Sequence, residues 1–145
     1  MIKAATVATE KEPGSQKILL VRDLRITLHR EAQANFALRG VDLEIDQGEI
    51  VALVGESGSG KSTLGLAIQG LLPAESRPHV SGSIKVGGTE VVNAPARVIR
   101  RLRRDQLGAV FQDAMTSLNP SMRIGRQLAE TITDGTPPAH WLNRV

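Results

Sequence analysis

Apolar and polar positions alternate in part along residues 18–28. Leu20, Arg22, Leu24, Ile26 and Leu28 stand against Val21, Asp23, Arg25 and Thr27, and this period of two predicts a strand. A polar turn over 29–35 leads to a second predicted strand, 36–45, whose apolar side carries Leu38, Val41, Leu43 and Ile45. Asp46-Gln47-Gly48 reads as a tight turn and gives a hairpin into the next strand, so the first fifty residues are expected to be antiparallel. Residues 49–54 (EIVALV) differ. They form a nearly continuous apolar run, the pattern of a strand buried on both faces in a parallel sheet.

A glycine-rich stretch, 55–60, interrupts that run, and 61–70 then reads as a helix ended by Gly70 and Pro73. Residues 75–78 are loop, 81–92 carry a hairpin pattern around Gly87-Gly88, and Pro95 opens a short helix running through residue 104. A second buried strand is expected over 107–111 (LGAVF), and 124–132 has helical spacing before Gly135, Pro137 and Pro138 end it. Residues 1–17 are polar, with Pro13 and Gly14 breaking any period, and read as a flexible leader.

Composition narrows the function classes. The 145 residues are 41% hydrophobic and 23% charged, the profile of one soluble globular domain. Aromatics are only 2%, namely Phe36, Phe111 and Trp141, so the core must be aliphatic and a nucleic-acid surface of stacking rings is not expected. Cysteine is absent, which removes disulfides, thiol catalysis and cysteine zinc sites. No apolar run is long enough to span a bilayer, and the start lacks a secretory apolar core, so it reads as cytoplasmic. Of the 18 basic residues behind the net charge of +3, five arginines (97, 100, 101, 103 and 104) cluster at helical spacing with Val98, Ile99 and Leu102, and read as a solvated basic helix face. His79 and His140 have no metal-ligand spacing around them.

The chemistry lies in Gly55-Glu56-Ser57-Gly58-Ser59-Gly60-Lys61-Ser62, a full match to G-x-x-x-x-G-K-[ST] between a predicted strand and a predicted helix. The glycines let successive N–H groups point inward, and the positive end of the helix completes a concave donor nest for a polyphosphate. Lys61 would reach the outer phosphates, the Ser62 hydroxyl would ligate Mg²⁺, and Thr63 would add a donor to an inner phosphate. One phosphate loop serves kinases, GTPases, motor ATPases and transport ATPases alike. No asparagine here is followed by lysine as a guanine reader requires, and two strands precede the loop, which favours an ATPase with a β-rich leading section.

At this point a family resemblance is specific. Residues 51–63 (VALVGESGSGKST), followed by 110–120 (VFQDAMTSLNP), look like the nucleotide-binding subunit of ATP-binding cassette transporters, and FQDAMTSLNP most resembles the dipeptide, oligopeptide and nickel importers. The resemblance covers roughly residues 18–130. It implies an α/β phosphate-loop NTPase with a RecA-like core and an N-terminal antiparallel β section, incomplete in this chain. The implied organisation is a flexible leader over 1–17, the N-terminal part of the ATP-binding domain over 18–112, and over 113–145 the Q-loop and the start of a helical subdomain with an atypical tail. ATP and Mg²⁺ are the implied cofactors. Gln112 is the implied Q-loop glutamine, whose side-chain oxygen approaches Mg²⁺ or the attacking water and whose loop contacts the membrane-spanning partner. Ala114 stands where the family usually has proline. On the adenine side the family stacks the base on an aromatic after the first strand, where His29 or Arg30 falls here, with Phe36 a few residues on.

The implied partners are a second ATP-binding subunit, membrane-spanning permease subunits and, indirectly, an extracytoplasmic solute-binding protein, at the cytoplasmic face of the plasma membrane. No nucleic acid is expected. The family's signature stretch, its second acidic motif and its later histidine have no counterpart in the 145 residues, so this chain is expected to bind ATP without turning it over. Two rival readings are a non-catalytic ATP-Mg²⁺-binding module and another phosphate-loop ATPase or kinase.

Overall fold

Strand formation in the first third of the chain follows the period-two pattern, but with a change of phase that the pattern alone conceals. In a computed structural model describing residues 3–7, 16–30, 33–110, 118–132, 136–137 and 139–140, strand β2 (Lys17–Arg30) pairs antiparallel with β3 (Gln33–Asp46) on one side and with β5 (His79–Val86) on the other. The buried set on β2 is Leu19 and Val21, then Leu24 and Ile26. Two exposed residues, Arg22 and Asp23, separate the halves, so the single alternation expected from the sequence is broken by a β-bulge. Asp23 has φ of +40°, and opposite it stand Gly40 at φ +86° and Gly82 at φ +95°. A Cβ on Gly82 would lie 2.5 Å from the Asp23 carbonyl oxygen, which is why glycine occupies the site.

The four-stranded sheet has the order β3-β2-β5-β6, with β6 (Thr89–Glu90) joined to β5 through the expected Gly87-Gly88 turn. Glu90 ties this hairpin together, accepting from Ser83 Oγ at 2.6 Å and from the N–H groups of Ile84, Val92 and Val91 at 2.9, 3.1 and 3.2 Å. Burial works to raise its pKa, but the Ser83 hydroxyl and the three N–H donors outweigh burial and leave the carboxyl below its ordinary value.

Two expectations about the connection after β3 are corrected. The turn forms at Asp46, whose carbonyl accepts from Glu49 N–H at 3.1 Å, but it does not make a hairpin. Strand β4 (Ile50–Val54) instead belongs to a separate two-stranded sheet with β1 (Lys3–Val7), paired antiparallel from Lys3 opposite Val54 to Val7 opposite Ile50. Residues 3–7, within the stretch read as a flexible leader, are therefore a strand, because β4 offers an edge whose N–H and C=O groups need partners. The run 49–54 is also not buried on both faces. Val51 and Leu53 pack on the core while Ile50 is 64% and Val54 49% exposed, since among the described residues only one face of this strand is covered.

A third correction concerns 107–111. Residues 107–110 form no strand, and Val110 is wholly exposed; among the described residues nothing pairs with them, and an unpaired apolar run has no reason to extend. Phe111 lies outside the described residues.

The helices follow the sequence. Helix α1 (Lys61–Ile68) buries Leu64 and Ala67, and α2 (Ala96–Asp105), with Pro95 at its N-cap, buries Ile99 and Leu102. These side chains join Val21, Leu24, Ile26, Leu38, Leu43 and Ile84 of the sheet in one aliphatic core, at roughly 1.5–3 kcal/mol per fully buried side chain. The core lies within a unit spanning Met1–Gly108; a second unit, Ala109–Val145, contains α3 (Ile124–Thr131). There Gln127 brackets a turn: its Oε1 accepts from Asn119 N–H at 2.9 Å, and its Nε2 donates to the carbonyls of Asn119 and Met122 at 3.0 and 2.8 Å.

Candidate functional site

The glycine loop joins β4 to α1, and its conformation is set by two left-handed glycines, Gly58 at φ +77° and Gly60 at φ +98°. Ser59 N–H donates to the Glu56 carbonyl at 3.2 Å, closing the loop, and the Gly60 carbonyl accepts the first bond of α1 from Leu64 N–H at 2.9 Å. Gly60 is the N-cap and carries no side-chain acceptor, nor is there an acidic residue in the first turn. The first-turn N–H groups of Lys61, Ser62 and Thr63 have no intrahelical partner by helical geometry, so this end of α1 is a set of donors with a positive dipole end and no internal anion.

The helix is held firmly. Leu64 is fully buried, and the C-terminus closes with Gly70 N–H on the Ala67 carbonyl at 3.0 Å and Leu71 N–H on the Leu66 carbonyl at 2.8 Å, the paired bonds of a Schellman motif. Gly70, at φ +63°, permits that turn, and a Cβ there would come within 2.9 Å of Ile99 Cγ2 on α2.

Lys61 folds over the loop. Its ammonium donates to the carbonyls of Gly55 at 2.7 Å and Glu56 at 2.8 Å, and to Ser59 Oγ at 3.3 Å. All three acceptors are neutral, and among the described residues Lys61 makes no ion pair. The charge stands beside the open N–H donors with no carboxylate paired to it among the described residues, and a phosphate-bearing anion fits both. Ser62 exposes its hydroxyl in the first turn of α1. Among the described residues no group of three or more His, Asp or Glu could cage a metal ion. A single hydroxyl such as that of Ser62 can serve a divalent cation only together with phosphate oxygens and water.

Of the residues singled out in the sequence, Gly55 through Thr63 are brought together on this loop and helix. Arg30 closes β2, its backbone opposite Gln33, and its side chain is outside the described residues. Gln112 also lies outside them. His29 is engaged across the chain, Nδ1 lying 3.1 Å from the Arg77 carbonyl oxygen. One pairing escaped the sequence reading: Arg39 lies over the exposed ring of Phe36, 5.5 Å from its centroid. Strict alternation puts 36 and 39 on opposite faces. A register shift between Thr27 opposite Phe36 and Ile26 opposite Leu38 leaves Ala37 as the extra residue and puts both on the exposed face, a signal carried by pairing rather than by residue type.

A loop of this sequence and conformation, leading into an uncapped helix, defines the class as a phosphate-loop NTPase domain. Residues 38–145 match the ABC transporter family model, and the chain belongs to that family. It is 39% identical over 132 residues to the oligopeptide transport ATP-binding protein OppD of Escherichia coli, covering 91% of this chain and 38% of that protein. Over 122 residues it is 41% identical to the peptidoglycan transport ATP-binding protein YejF of Agrobacterium fabrum, covering 84% of this chain and 22% of that protein. It is 39% identical over 123 residues to the probable D,D-dipeptide transport ATP-binding protein DdpD of Escherichia coli, again spanning 38% of the relative's length. The chain thus spans well under half of each of these relatives. Proteins of the family are ATPases whose domains bind ATP, and among the described residues no helix is long and apolar enough to cross a membrane.

Proposed function

We propose that the chain forms the phosphate-binding part of an ABC transporter ATP-binding subunit, and that Gly55 through Thr63 hold the polyphosphate of ATP. The observation that carries this reading is the Lys61 ammonium, paired with no carboxylate among the described residues, beside the open N–H groups of α1. On arrival of ATP, Lys61 exchanges two neutral carbonyl acceptors for phosphate oxygens, a charge-assisted contact roughly twice as strong. Ser62 offers its hydroxyl to Mg²⁺, and Thr63 an N–H or hydroxyl to an inner phosphate. Mg²⁺, when bound, neutralises charge on the phosphate oxygens. Arg30, or the Phe36 ring with Arg39 above it, supplies a planar surface for the adenine.

In the whole protein, Gln112 takes part in orienting the water that attacks the γ-phosphate in line, and its loop answers to a membrane-spanning permease. Domain limits of 18–112 for the ATP-binding portion and 113–145 for the start of a helical portion fit this division of labour. Peptide-like solutes are the imported cargo in this reading, supported by relatives named for oligopeptide, peptidoglycan and D,D-dipeptide transport, with nickel as the other substrate of the resembling subclass. Assembly with a second ATP-binding subunit on permease subunits, served by a solute-binding protein, places the work at the cytoplasmic face of the plasma membrane.

A second reading is a module that binds ATP-Mg²⁺ without hydrolysing it, since phosphoryl transfer needs a group that positions the attacking water besides the phosphate cradle that Lys61 and Ser62 supply. Calorimetric titration with ATP-Mg²⁺ alongside a phosphate-release assay decides. Binding without release, both compared with Lys61→Ala, supports the module; Lys61-dependent release supports catalysis. No binding at all rejects both.

A further inference from the structure

Helix α2 spends its apolar side on the core, where Ile99 and Leu102 are buried, and turns Arg97, Arg100, Arg101 and Arg104 outward. These four stand at i, i+3, i+4 and i+7, so they form one stripe along the helix, roughly 10 Å long at about 1.5 Å of rise per residue. A fifth, Arg103, is half-buried, and its Nε is buried without a hydrogen-bond partner among the described residues. Asp105 is the helix's single acidic residue. It engages Arg104 at 2.7 Å and Arg101 at 3.6 Å, which leaves Arg97 and Arg100 without an ion pair among the described residues. The whole chain carries +3, while α2 has five arginines and one aspartate, so the excess positive charge of the molecule is concentrated on this helix.

We propose that this stripe is a docking surface for the anionic headgroups of a lipid bilayer. Charge complementarity selects the phosphate class, and the arrangement selects how contact is made. Since the apolar face is already used in the core, α2 cannot insert, and attraction is electrostatic only, through guanidinium groups laid against a charged plane. A membrane is favoured over a nucleic acid because the subunit proposed above works against membrane-embedded partners, which hold it beside an anionic lipid plane. The inference rests on that functional reading only for the choice of surface. The stripe and its charge stand independently of ATP.

The test is co-sedimentation of the full chain with phosphatidylcholine vesicles, with mixed phosphatidylcholine–phosphatidylglycerol vesicles and with duplex DNA. Binding is expected to the anionic vesicles alone, abolished as salt approaches 1 M and the screening length falls to about 3 Å. The double variant Arg97→Gln/Arg100→Gln should weaken it roughly 30-fold, at about fivefold for each surface arginine. Arg97→Lys/Arg100→Lys should retain it, and Lys85→Gln/Arg126→Gln, with the same change in net charge elsewhere, should change it little. Lys61→Ala should leave vesicle binding intact while lowering ATP affinity, so that failure of the lipid surface and failure of the nucleotide reading are seen separately. Absence of binding to anionic vesicles, equal binding by the stripe and control variants, or tighter binding to the DNA would each overturn the proposal.

Discussion

The Lys61 ammonium donates to the Gly55 carbonyl oxygen at 2.7 Å, so the residue that would grip the outer phosphates instead bridges back to the start of its own loop. The contact spans six positions and is possible only because Gly58 and Gly60 turn the backbone left-handed between them. It keeps a charged group satisfied by neutral acceptors, a bond readily exchanged for a stronger one.

Replacing that lysine tests the exchange. Lys61→Ala is expected to lower affinity for ATP-Mg²⁺ at least tenfold, because losing a charge-assisted contact costs about 1.5–3 kcal/mol. Titration calorimetry on the folded variant, checked by circular dichroism, reads the change. Unchanged affinity would sink the phosphate-loop assignment.

The bulge at Asp23 makes a second expectation. Gly82→Ala should lower unfolding free energy by about 3 kcal/mol or more, since the alanine would sit at φ +95° with its Cβ 2.5 Å from a main-chain oxygen. Gly88→Ala has the strained φ of +78° but open space around it, and should cost less. Denaturant unfolding of the two variants compares them; equal losses would mean that backbone strain alone, and not the close approach of β2, governs Gly82.

Glu90 predicts a pH dependence. Its folded pKa is depressed, so the stability it contributes is complete above the ordinary glutamate value and is lost as the pH falls through the lower, folded value. Glu90→Gln should remove that acid limb and cost roughly 1–3 kcal/mol near neutrality, as charge-assisted bonds from Ser83 and from the N–H groups of Ile84, Val91 and Val92 weaken. Unfolding curves collected from neutral to acid pH, wild type beside variant, give the difference; parallel curves would show that the carboxylate contributes nothing specific.

Gln127 makes a local one. Gln127→Ala removes three hydrogen bonds to the backbone of the Asn119 to Met122 turn, and exchange of the Asn119 amide should accelerate several-fold while amides of β2 and β5 stay unchanged. Hydrogen exchange by NMR distinguishes this from general destabilisation, which would speed all of them together.

Local pattern was sufficient for the elements whose causes are local. The phosphate loop is written in consecutive residues, since left-handed turns require glycine and donors come from the backbone between them. The ends of α1 and α2 follow from Gly70 and Pro95, and the β5–β6 hairpin from Gly87-Gly88, each a turn or cap decided within a few positions. Even the family was legible from two short phrases.

Pairing could not be read in the same way. Which face of β2 is buried changes at Asp23 because two neighbouring strands, contributed by residues near 40 and 82, cross it there with glycines, and neither can be foreseen from the alternation of residues 18–28. The run 49–54 has the composition of a doubly buried strand, yet its burial depends on what lies on each face and its partner turns out to be residues 3–7. Phe36 and Arg39 share a face only through the extra residue at Ala37. Turns and helix caps are short-range and set by backbone sterics, so the sequence by itself determined them; register, face and strand partner are relations between segments distant in the chain, and only the tertiary structure could decide those.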